Sequence, residues 1–210
     1  MINGINDKDV INMGKIMASV YDIVMYPFEK LFLTQKRRLL LKQASGHVLD
    51  IGSGTGVNFP FFNPETTTVY AIEPDQAMRE KANQKSVPDY IHIEATGAEA
   101  IPVPDDTFDT VVSTLVFCSI DKPEQVFNEI KRVLKPGGQL YFIEHIRATS
   151  PSIQSIQDTL TPMWKQVADG CHLNRPTDQL IEQHFTIIKK AYYFKKIVTV
   201  IIAENTEIDT

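Results

Sequence analysis

The sequence lacks the features that mark secreted, membrane-spanning and nucleic-acid-binding proteins. It has only two cysteines, Cys118 and Cys171, so we expect reduced thiols rather than a disulfide framework. No run approaches the roughly 20 apolar residues of a transmembrane helix, and the polar start MINGINDKDV lacks the basic and then apolar order of a secretory signal. Its 21 basic residues are outnumbered by 26 acidic ones, which argues against a general attraction to nucleic acid. We therefore expect a cytoplasmic protein without nucleic-acid partners.

The sequence does contain enough apolar residues, 43%, for the core of one domain. From about Gly46 it alternates short β-rich runs with helical patterns, which is typical of a parallel sheet covered by helices. The predicted strands are residues 47–51, 67–73, 89–95, 108–114 and 139–145. The predicted helices are residues 75–85, 123–134, 152–168 and 179–184.

The chain ends in two β-rich runs, residues 185–196 and 196–205. They stand too close together for a crossover helix, so we expect them to pair antiparallel as a terminal hairpin. The predicted fold is therefore α/β: a seven-stranded, mostly parallel sheet with a terminal antiparallel hairpin and helices on both faces.

Residues 5–44 have a helical pattern that combines apolar and basic side chains. Phe28, Leu31, Phe32 and Leu39 fall near one side, with Lys36, Arg37 and Arg38 clustered between them. The favoured interpretation is a helix that packs on the sheet or covers the site, with its charges solvated, because most such apolar stripes face a core. The alternative is a weak membrane-surface contact through a basic amphipathic face.

The segment VLDIGSGTGVNF places Gly52, Gly54 and Gly56 after a buried strand, and we expect the loop to open a helix. Glycines in such loops bring backbone N–H groups close to a ligand. The dinucleotide fingerprint G-x-G-x-x-G would need glycine at Val57. Glu73, at the end of the second strand, is placed to accept hydrogen bonds from both hydroxyls of a ribose, which suits NAD and other adenosine cofactors alike.

Four segments carry a resemblance to a known family. They are VLDIGSGTG, AIEPDQAMREKA, GAEAIPVPDDTFDTVVSTLVFCSI and IKRVLKPGGQLYFIEH. In this order, over residues 48–145, they resemble the motifs of class I S-adenosylmethionine-dependent methyltransferases, whose Rossmann-like seven-stranded sheet also ends in an antiparallel strand. The resemblance implies an enzyme that uses S-adenosyl-L-methionine.

The resemblance also implies which residues bind this cofactor. Asp50 would balance its ammonium and sulfonium charges, the N–H groups of the glycine turn would bind its carboxylate, and Glu73 would hold its ribose. The full set is Tyr21, Asp50, Gly52, Ser53, Gly54, Gly56, Glu73, Pro74, Asp75, Met78, Ala98, Glu99, Thr114, Leu115 and Val116. One domain over residues 1–210 would then comprise a helical cap (1–45), a cofactor-binding core (46–146), an acceptor-side insert (147–184) and the hairpin (185–210).

The acceptor side resembles a narrower group. LVFCSI and DGCHLNRPT are similar to segments of the alkyl-thiol methyltransferases of animals, which implies a small, largely apolar acceptor, with a thiol as first choice. Those proteins carry a hydrophobic N-terminal anchor that we do not find here, so we do not expect membrane attachment. The candidate catalytic residues are His145, His172 and Asp169. Cys171 and His172 are adjacent and lack paired ligand spacing, so we predict no metal site.

Three alternatives remain open at this stage. A phospholipid or quinone methyltransferase would use the basic helix at a membrane surface. A non-catalytic, cofactor-binding scaffold protein is less favoured, because Asp50, the three glycines and Glu73 are all present. An NAD-dependent oxidoreductase is disfavoured by Val57 and by the terminal hairpin. The oligomeric state cannot be inferred.

Overall fold

The computed structural model describes residues 32–168 and 170–206. It contains a seven-stranded sheet with helices on both faces. The strands are β1 (Gly46–Ile51), β2 (Thr67–Ile72), β3 (Ile91–Glu94), β4 (Phe108–Thr114), β5 (Leu134–His145), β6 (Thr186–Tyr193) and β7 (Val198–Glu204). The α-helices are α1 (Thr34–Leu41), α2 (Gln76–Asn83), α3 (Pro123–Val133), α4 (Pro151–Val167) and α5 (Thr177–His184).

The strand order, β3-β2-β1-β4-β5-β7-β6, confirms the predicted fold. The first five strands are parallel, and β7 runs antiparallel to both β5 and β6. The chain proceeds from β1 outward to β3 and then returns to the other side of β1 as β4. Open α/β sheets bind ligands at the carboxyl ends of strands beside such a reversal. The site is therefore expected where β1 and β4 end.

Each face of the sheet carries its own apolar cluster. On one face, α3 and α5 contribute Phe127 and Ile181 to a cluster in which Phe127 stacks on Phe117 with ring centroids 4.6 Å apart. On the other face, α1 and α2 contribute Leu40 and Ala82. Because helices cover both faces, the central strand β1 is buried from Val48 to its end.

Phe127 provides a test of the first cluster. Its side chain is fully buried, so we expect Phe127→Ala to lower the free energy of unfolding by about 3–5 kcal/mol. Chemical denaturation followed by circular dichroism measures the change. Ile188→Ala, at an exposed position of β6, serves as control and should cost less than about 0.5 kcal/mol. Equal losses in the two variants would contradict this assignment of the core.

The glycine loop does not open an α-helix, so that prediction was wrong. The loop continues through turns into a single 3₁₀ turn, Phe59–Phe61. Pro60 is compatible with this first turn, but Pro64 disfavours a helical conformation at the residue before it and so opposes a longer helix. A second difference is that β5 begins at Leu134, directly after α3, five residues before its predicted start.

The basic segment of α1 was also interpreted incorrectly. Arg37 is only 3% exposed, so its charge is not solvated, whereas Leu39, assigned to the packed side, is 65% exposed. The Lys36 ammonium donates a hydrogen bond to the Tyr193 hydroxyl at 3.0 Å and lies 4.1 Å from the centroid of its ring. Only Arg38 of this basic trio is exposed. The remainder of the predicted helix, including Tyr21, lies outside the described residues.

Among the described residues, no helix combines the length and the apolar character needed to cross a bilayer.

Candidate active site

The glycine loop after β1 has a conformation that requires glycine. Gly52, Gly54 and Gly56 have φ values of 60°, 56° and 75°, in the left-handed region. A Cβ on Gly52 would lie 2.7 Å from the Val116 methyl carbons, and one on Gly56 would lie 2.6 Å from the Phe59 ring. At Gly52 and Gly56, a side chain is therefore excluded by packing as well as by backbone conformation, and at Gly54 it is disfavoured by backbone conformation alone.

Glu73 ties this loop to the end of β2. Its buried carboxylate accepts hydrogen bonds from the N–H groups of Gly54 and Asp75, both at 2.9 Å. Arg79 donates to the Glu73 carbonyl oxygen at 2.7 Å and so fixes the same strand end. The residue predicted to bind ribose thus also sets the shape of the glycine loop.

The other residues near β2 and β3 that were predicted to bind the cofactor lie in different surroundings. One caps a helix, some are exposed to solvent, and one is part of the apolar core. Asp75 caps α2 by accepting a hydrogen bond from the Met78 N–H at 2.7 Å. Pro74 is exposed, Met78 and Glu99 are partly exposed, and Ala98 packs in the cluster that contains Phe127. Their contacts with the cofactor stay predictions.

Asp50 is a fully buried carboxyl group at the end of β1. Its Oδ1 accepts a hydrogen bond from the Asn58 amide at 2.8 Å, and that amide also donates to the Thr114 hydroxyl at 3.2 Å. Among the described residues, Oδ2 of Asp50 and the hydroxyl of Ser53 are buried without a hydrogen-bond partner. Burial raises the pKa of Asp50 to about 7, although the Asn58 hydrogen bond opposes the shift. A cation bound here would stabilise the carboxylate.

The predicted residues that follow β4 do reach the glycine loop. Val116 covers Gly52, and Thr114 shares Asn58 with Asp50. Leu115 has a φ of 60°, which costs energy in a residue other than glycine, and its N–H bonds to the Ile143 carbonyl at 2.7 Å. The loop after β1 and the chain after β4 are therefore in contact where these two strands end, as the topology requires.

Glu144 was not predicted, although an acidic residue inside the apolar run LYFIEH was a visible signal. It is fully buried, and its Oε1 accepts hydrogen bonds from the N–H groups of Val116 and Phe117 at 3.1 and 3.3 Å and from the Ser113 hydroxyl at 3.1 Å. Burial raises its pKa to about 7, against the effect of these donors. Glu144 thus fixes the turn after β4 that contacts the glycine loop.

Two cysteines and a histidine meet beside this turn. Cys118 follows β4, His145 is the last residue of β5, and Cys171 lies in the loop after α4. His145 Nε2 lies 3.2 Å from Cys171 Sγ, which also accepts a hydrogen bond from the Trp164 indole at 3.2 Å. The two sulfur atoms and an imidazole nitrogen all lie within 4.8 Å of one another. We call these three residues the Cys–His cluster.

Contacts within the Cys–His cluster shift the pKa values of its members. Hydrogen bonds with Cys118, His145 and Trp164 lower the pKa of Cys171, and the pKa of Cys118 is raised well above its usual range by Cys171 and by burial. Burial acts to lower the pKa of His145, but its contact with Cys171 raises it overall. The His145 imidazole is therefore paired with the Cys171 side chain and is not an isolated base.

Of the other two predicted catalytic residues, only His172 lies in the described part of the chain. The His172 N–H donates to the Cys118 carbonyl oxygen at 2.8 Å, but its ring is not one of the three clustered groups. Burial and the charges of Arg175 and Lys165 lower the pKa of His172. Asp169 lies outside the described residues. The roles of all three predicted catalytic residues stay predictions.

Comparison with known proteins shows the family. A family model described as a methyltransferase domain matches residues 49–142. Thiol S-methyltransferase TMT1B of Homo sapiens is 36% identical over 169 residues, which cover 73% of this chain and 68% of that protein. The chain belongs to the class I S-adenosylmethionine-dependent methyltransferases. TMT1B of Rattus norvegicus is 40% identical over 152 residues, 68% of this chain and 62% of that protein. The methyltransferase chain thus spans a little under two thirds of this relative.

More distant comparisons agree on the fold. Phosphatidylethanolamine N-methyltransferase of Cereibacter sphaeroides is 25% identical over 159 residues, covering 73% of this chain and 77% of that protein. A geranyl diphosphate methyltransferase solved in complex with S-adenosylmethionine superimposes with a TM-score of 0.68 at 12% identity, covering 82% and 85% of the two chains. The cofactor of this methyltransferase is S-adenosyl-L-methionine. The N–H groups of the glycine turn suit its carboxylate, and the Asp50 oxygen that is buried without a hydrogen-bond partner among the described residues suits its positive charges. The dehydrogenase alternative is thereby set aside.

Proposed function

We propose that the protein transfers the methyl group of S-adenosylmethionine to the sulfur of a small, largely apolar thiol. The names of the TMT1B relatives support a thiol acceptor. The structural observation that carries the proposal is the pairing of His145 with Cys171 at the carboxyl end of β5. A thiol needs less help from a base than an alcohol does, because it is the stronger acid and its sulfur is the stronger nucleophile. The proposal therefore needs no unpaired general base at this end of β5.

For the cofactor, we propose that the charged end lies between the glycine loop and Asp50. Its carboxylate would accept hydrogen bonds from the loop N–H groups, and the buried Asp50 carboxylate would face its positive charges. Glu73 would accept the ribose hydroxyls while its present bonds to the N–H groups of Gly54 and Asp75 hold the loop in place. The methyl group would then point toward the turn after β4.

A matched set of acceptors tests the proposal. Hexanethiol, hexanol and hexylamine share one carbon skeleton, and transfer from isotopically labelled S-adenosylmethionine measures methylation of each. We expect the thiol to react at least about 100-fold faster, because sulfur is a stronger nucleophile toward a methyl carbon than oxygen or nitrogen and a thiol loses its proton far more readily than an alcohol. Comparable rates with the alcohol or the amine would contradict a thiol-specific site. Tight S-adenosylhomocysteine binding without transfer to any thiol tested would also contradict the proposal.

His145 gives a test of the acceptor side. We expect His145→Ala to lower turnover with hexanethiol about tenfold while changing S-adenosylhomocysteine affinity less than about twofold, because the imidazole lies at the Cys–His cluster and not at the glycine loop. Steady-state kinetics and calorimetric titration provide the two measurements. His92→Ala, an exposed histidine on β3, is the control and should alter neither quantity. Unchanged turnover in His145→Ala would exclude a role for His145 in transfer.

A second candidate function is methylation of a phospholipid or quinone at a membrane surface. It is favoured by an exposed apolar stripe on α4, formed by Ile156, Leu160 and Met163, within the predicted acceptor-side insert. Cosedimentation with anionic liposomes tests it, and salt-sensitive binding that Leu160→Glu abolishes would support it. A cytoplasmic location and the absence of nucleic-acid partners stay predictions.

A further inference from the structure

The Cys–His cluster presents the donor atoms of a zinc site. We propose that Cys118, His145 and Cys171 bind one Zn²⁺ ion and that the fourth position of this ion binds the sulfur of the acceptor. The zinc site stands on the cluster alone, whereas the role of the fourth position rests on the proposed thiol methylation. Sequence spacing did not reveal the site, because its three ligands come from the ends of β4 and β5 and from the loop after α4.

The distances are compatible with tetrahedral coordination. Zn–S bonds of about 2.3 Å and Zn–N bonds of about 2.0–2.1 Å place tetrahedral ligands about 3.5–3.8 Å apart. The donor atoms here all lie within 4.8 Å of one another, and His145 Nε2 is already 3.2 Å from Cys171 Sγ. Changes of no more than about 1 Å in the separations of the donor atoms would therefore bring all three onto one ion.

The donor types favour zinc over harder cations. Thiolate and imidazole are ligands of zinc, whereas magnesium and calcium take oxygen ligands. Two thiolates also neutralise the charge of Zn²⁺, which suits a location where Cys118 and Cys171 are both buried. Three protein ligands leave one position open, as in catalytic zinc sites.

The surrounding polar contacts hold the ligands in place. The loop that carries Cys171 is tied to the chain after β4 by the His172 N–H, which donates to the Cys118 carbonyl oxygen. The Arg175 guanidinium donates to the carbonyl oxygens of Phe117 and Ile120. The buried Gln157 amide donates to the carbonyl oxygens of Ile146 and Leu173 at 3.0 and 2.8 Å. Outer contacts of this kind fix ligand orientation at metal sites.

Zinc would prepare the acceptor sulfur for transfer. As the thiol binds, its S–H bond breaks, the proton leaves to solvent and a Zn–S bond forms. A lone pair of this sulfur then attacks the methyl carbon, so that an S–CH₃ bond forms while the sulfonium C–S bond breaks and its electron pair stays on the sulfur of S-adenosylhomocysteine. The neutral thioether is a weaker ligand than a thiolate, and the product leaves as the Zn–S bond breaks.

Zinc binding is testable without an activity assay. The purified protein, stripped of metal and kept reduced with a phosphine, is titrated with zinc against a chromophoric chelator. We expect one equivalent to bind, and Cys118→Ser and Cys171→Ser each to weaken binding on the order of 100-fold. His172→Ala is the matched control, since this histidine neighbours Cys171 but is outside the cluster, and it should retain wild-type affinity. Circular dichroism confirms that each variant is folded.

If wild type binds zinc no better than Cys118→Ser and Cys171→Ser, the site is disproved, and an equal loss in His172→Ala would disprove this choice of ligands. Cobalt substitution tests the fourth position, because thiolate ligation alters the visible spectrum of Co²⁺. Hexanethiol should change the spectrum of the cobalt protein, and hexanol should not. If hexanethiol leaves the spectrum of the cobalt-bound protein unchanged, the proposed binding of the acceptor sulfur to the metal is disproved. Zinc binding without thiol methylation would disprove only the proposed function.

Discussion

Glu73→Ala is expected to weaken S-adenosylmethionine binding by at least about 100-fold. The substitution removes a buried carboxylate that accepts hydrogen bonds from the N–H groups of Gly54 and Asp75. Hydrogen bonds to a charged group contribute about 1.5–3 kcal/mol each, and the loss leaves the N–H groups unpaired in the glycine loop. The proposed bonds to the ribose hydroxyls are lost as well. Calorimetric titration with S-adenosylmethionine and with S-adenosylhomocysteine measures the effect.

A modified ligand separates the two roles of Glu73. An S-adenosylhomocysteine analogue without the 2′ and 3′ hydroxyls should bind wild type less tightly than the parent ligand, and Glu73→Ala should remove this preference. If the variant weakens both ligands by the same factor, Glu73 acts on the loop alone and the ribose assignment is wrong. Glu80→Ala, at an exposed position of α2, is the control and should bind both ligands like wild type.

The parts of the site that could be predicted from the sequence are those encoded locally. A buried strand followed by glycines fixes the positions of Asp50 and Gly52 within a few residues, and the parallel order then brings the end of β4 beside them. The loop itself shows the limit of this reasoning, because closely spaced glycines after a strand are as compatible with the turns observed here as with the start of a helix.

Other features depend on contacts between segments distant in sequence. Cys118 and Cys171 are 53 residues apart, and only the convergence of three chain segments places them with His145. Arg37 resembled a solvated charge because its neighbours Lys36 and Arg38 are basic, yet it is buried and acts electrostatically on Asp50. The order of charged residues along a helix does not show which of them will be buried, or which buried carboxyl group a buried arginine will lie near.

Asp50 should make cofactor binding depend on pH. Burial raises the pKa of this carboxyl to about 7, with Glu73 adding to the shift and with Asn58 and Arg37 opposing it. Below pH 7 the group is mostly neutral, and a positively charged ligand must displace its proton. Because the ionised form binds the cation better, affinity for S-adenosylmethionine should rise about tenfold between pH 6 and pH 8 and then level off.

Asp50→Asn isolates this contribution from the titration of the ligand. The α-amino group of the cofactor ionises in a similar range, so the informative quantity is the difference between the pH profiles of wild type and variant. We expect Asp50→Asn to bind on the order of 10–100-fold more weakly at pH 8 and to lack the rise attributed to Asp50, because an amide keeps the shape but not the charge. Asp89→Asn, at an exposed carboxyl before β3, should retain the wild-type profile. Parallel profiles for wild type and Asp50→Asn would mean that the Asp50 carboxylate does not face the positive end of the cofactor, and the proposed orientation in the glycine loop would then be wrong.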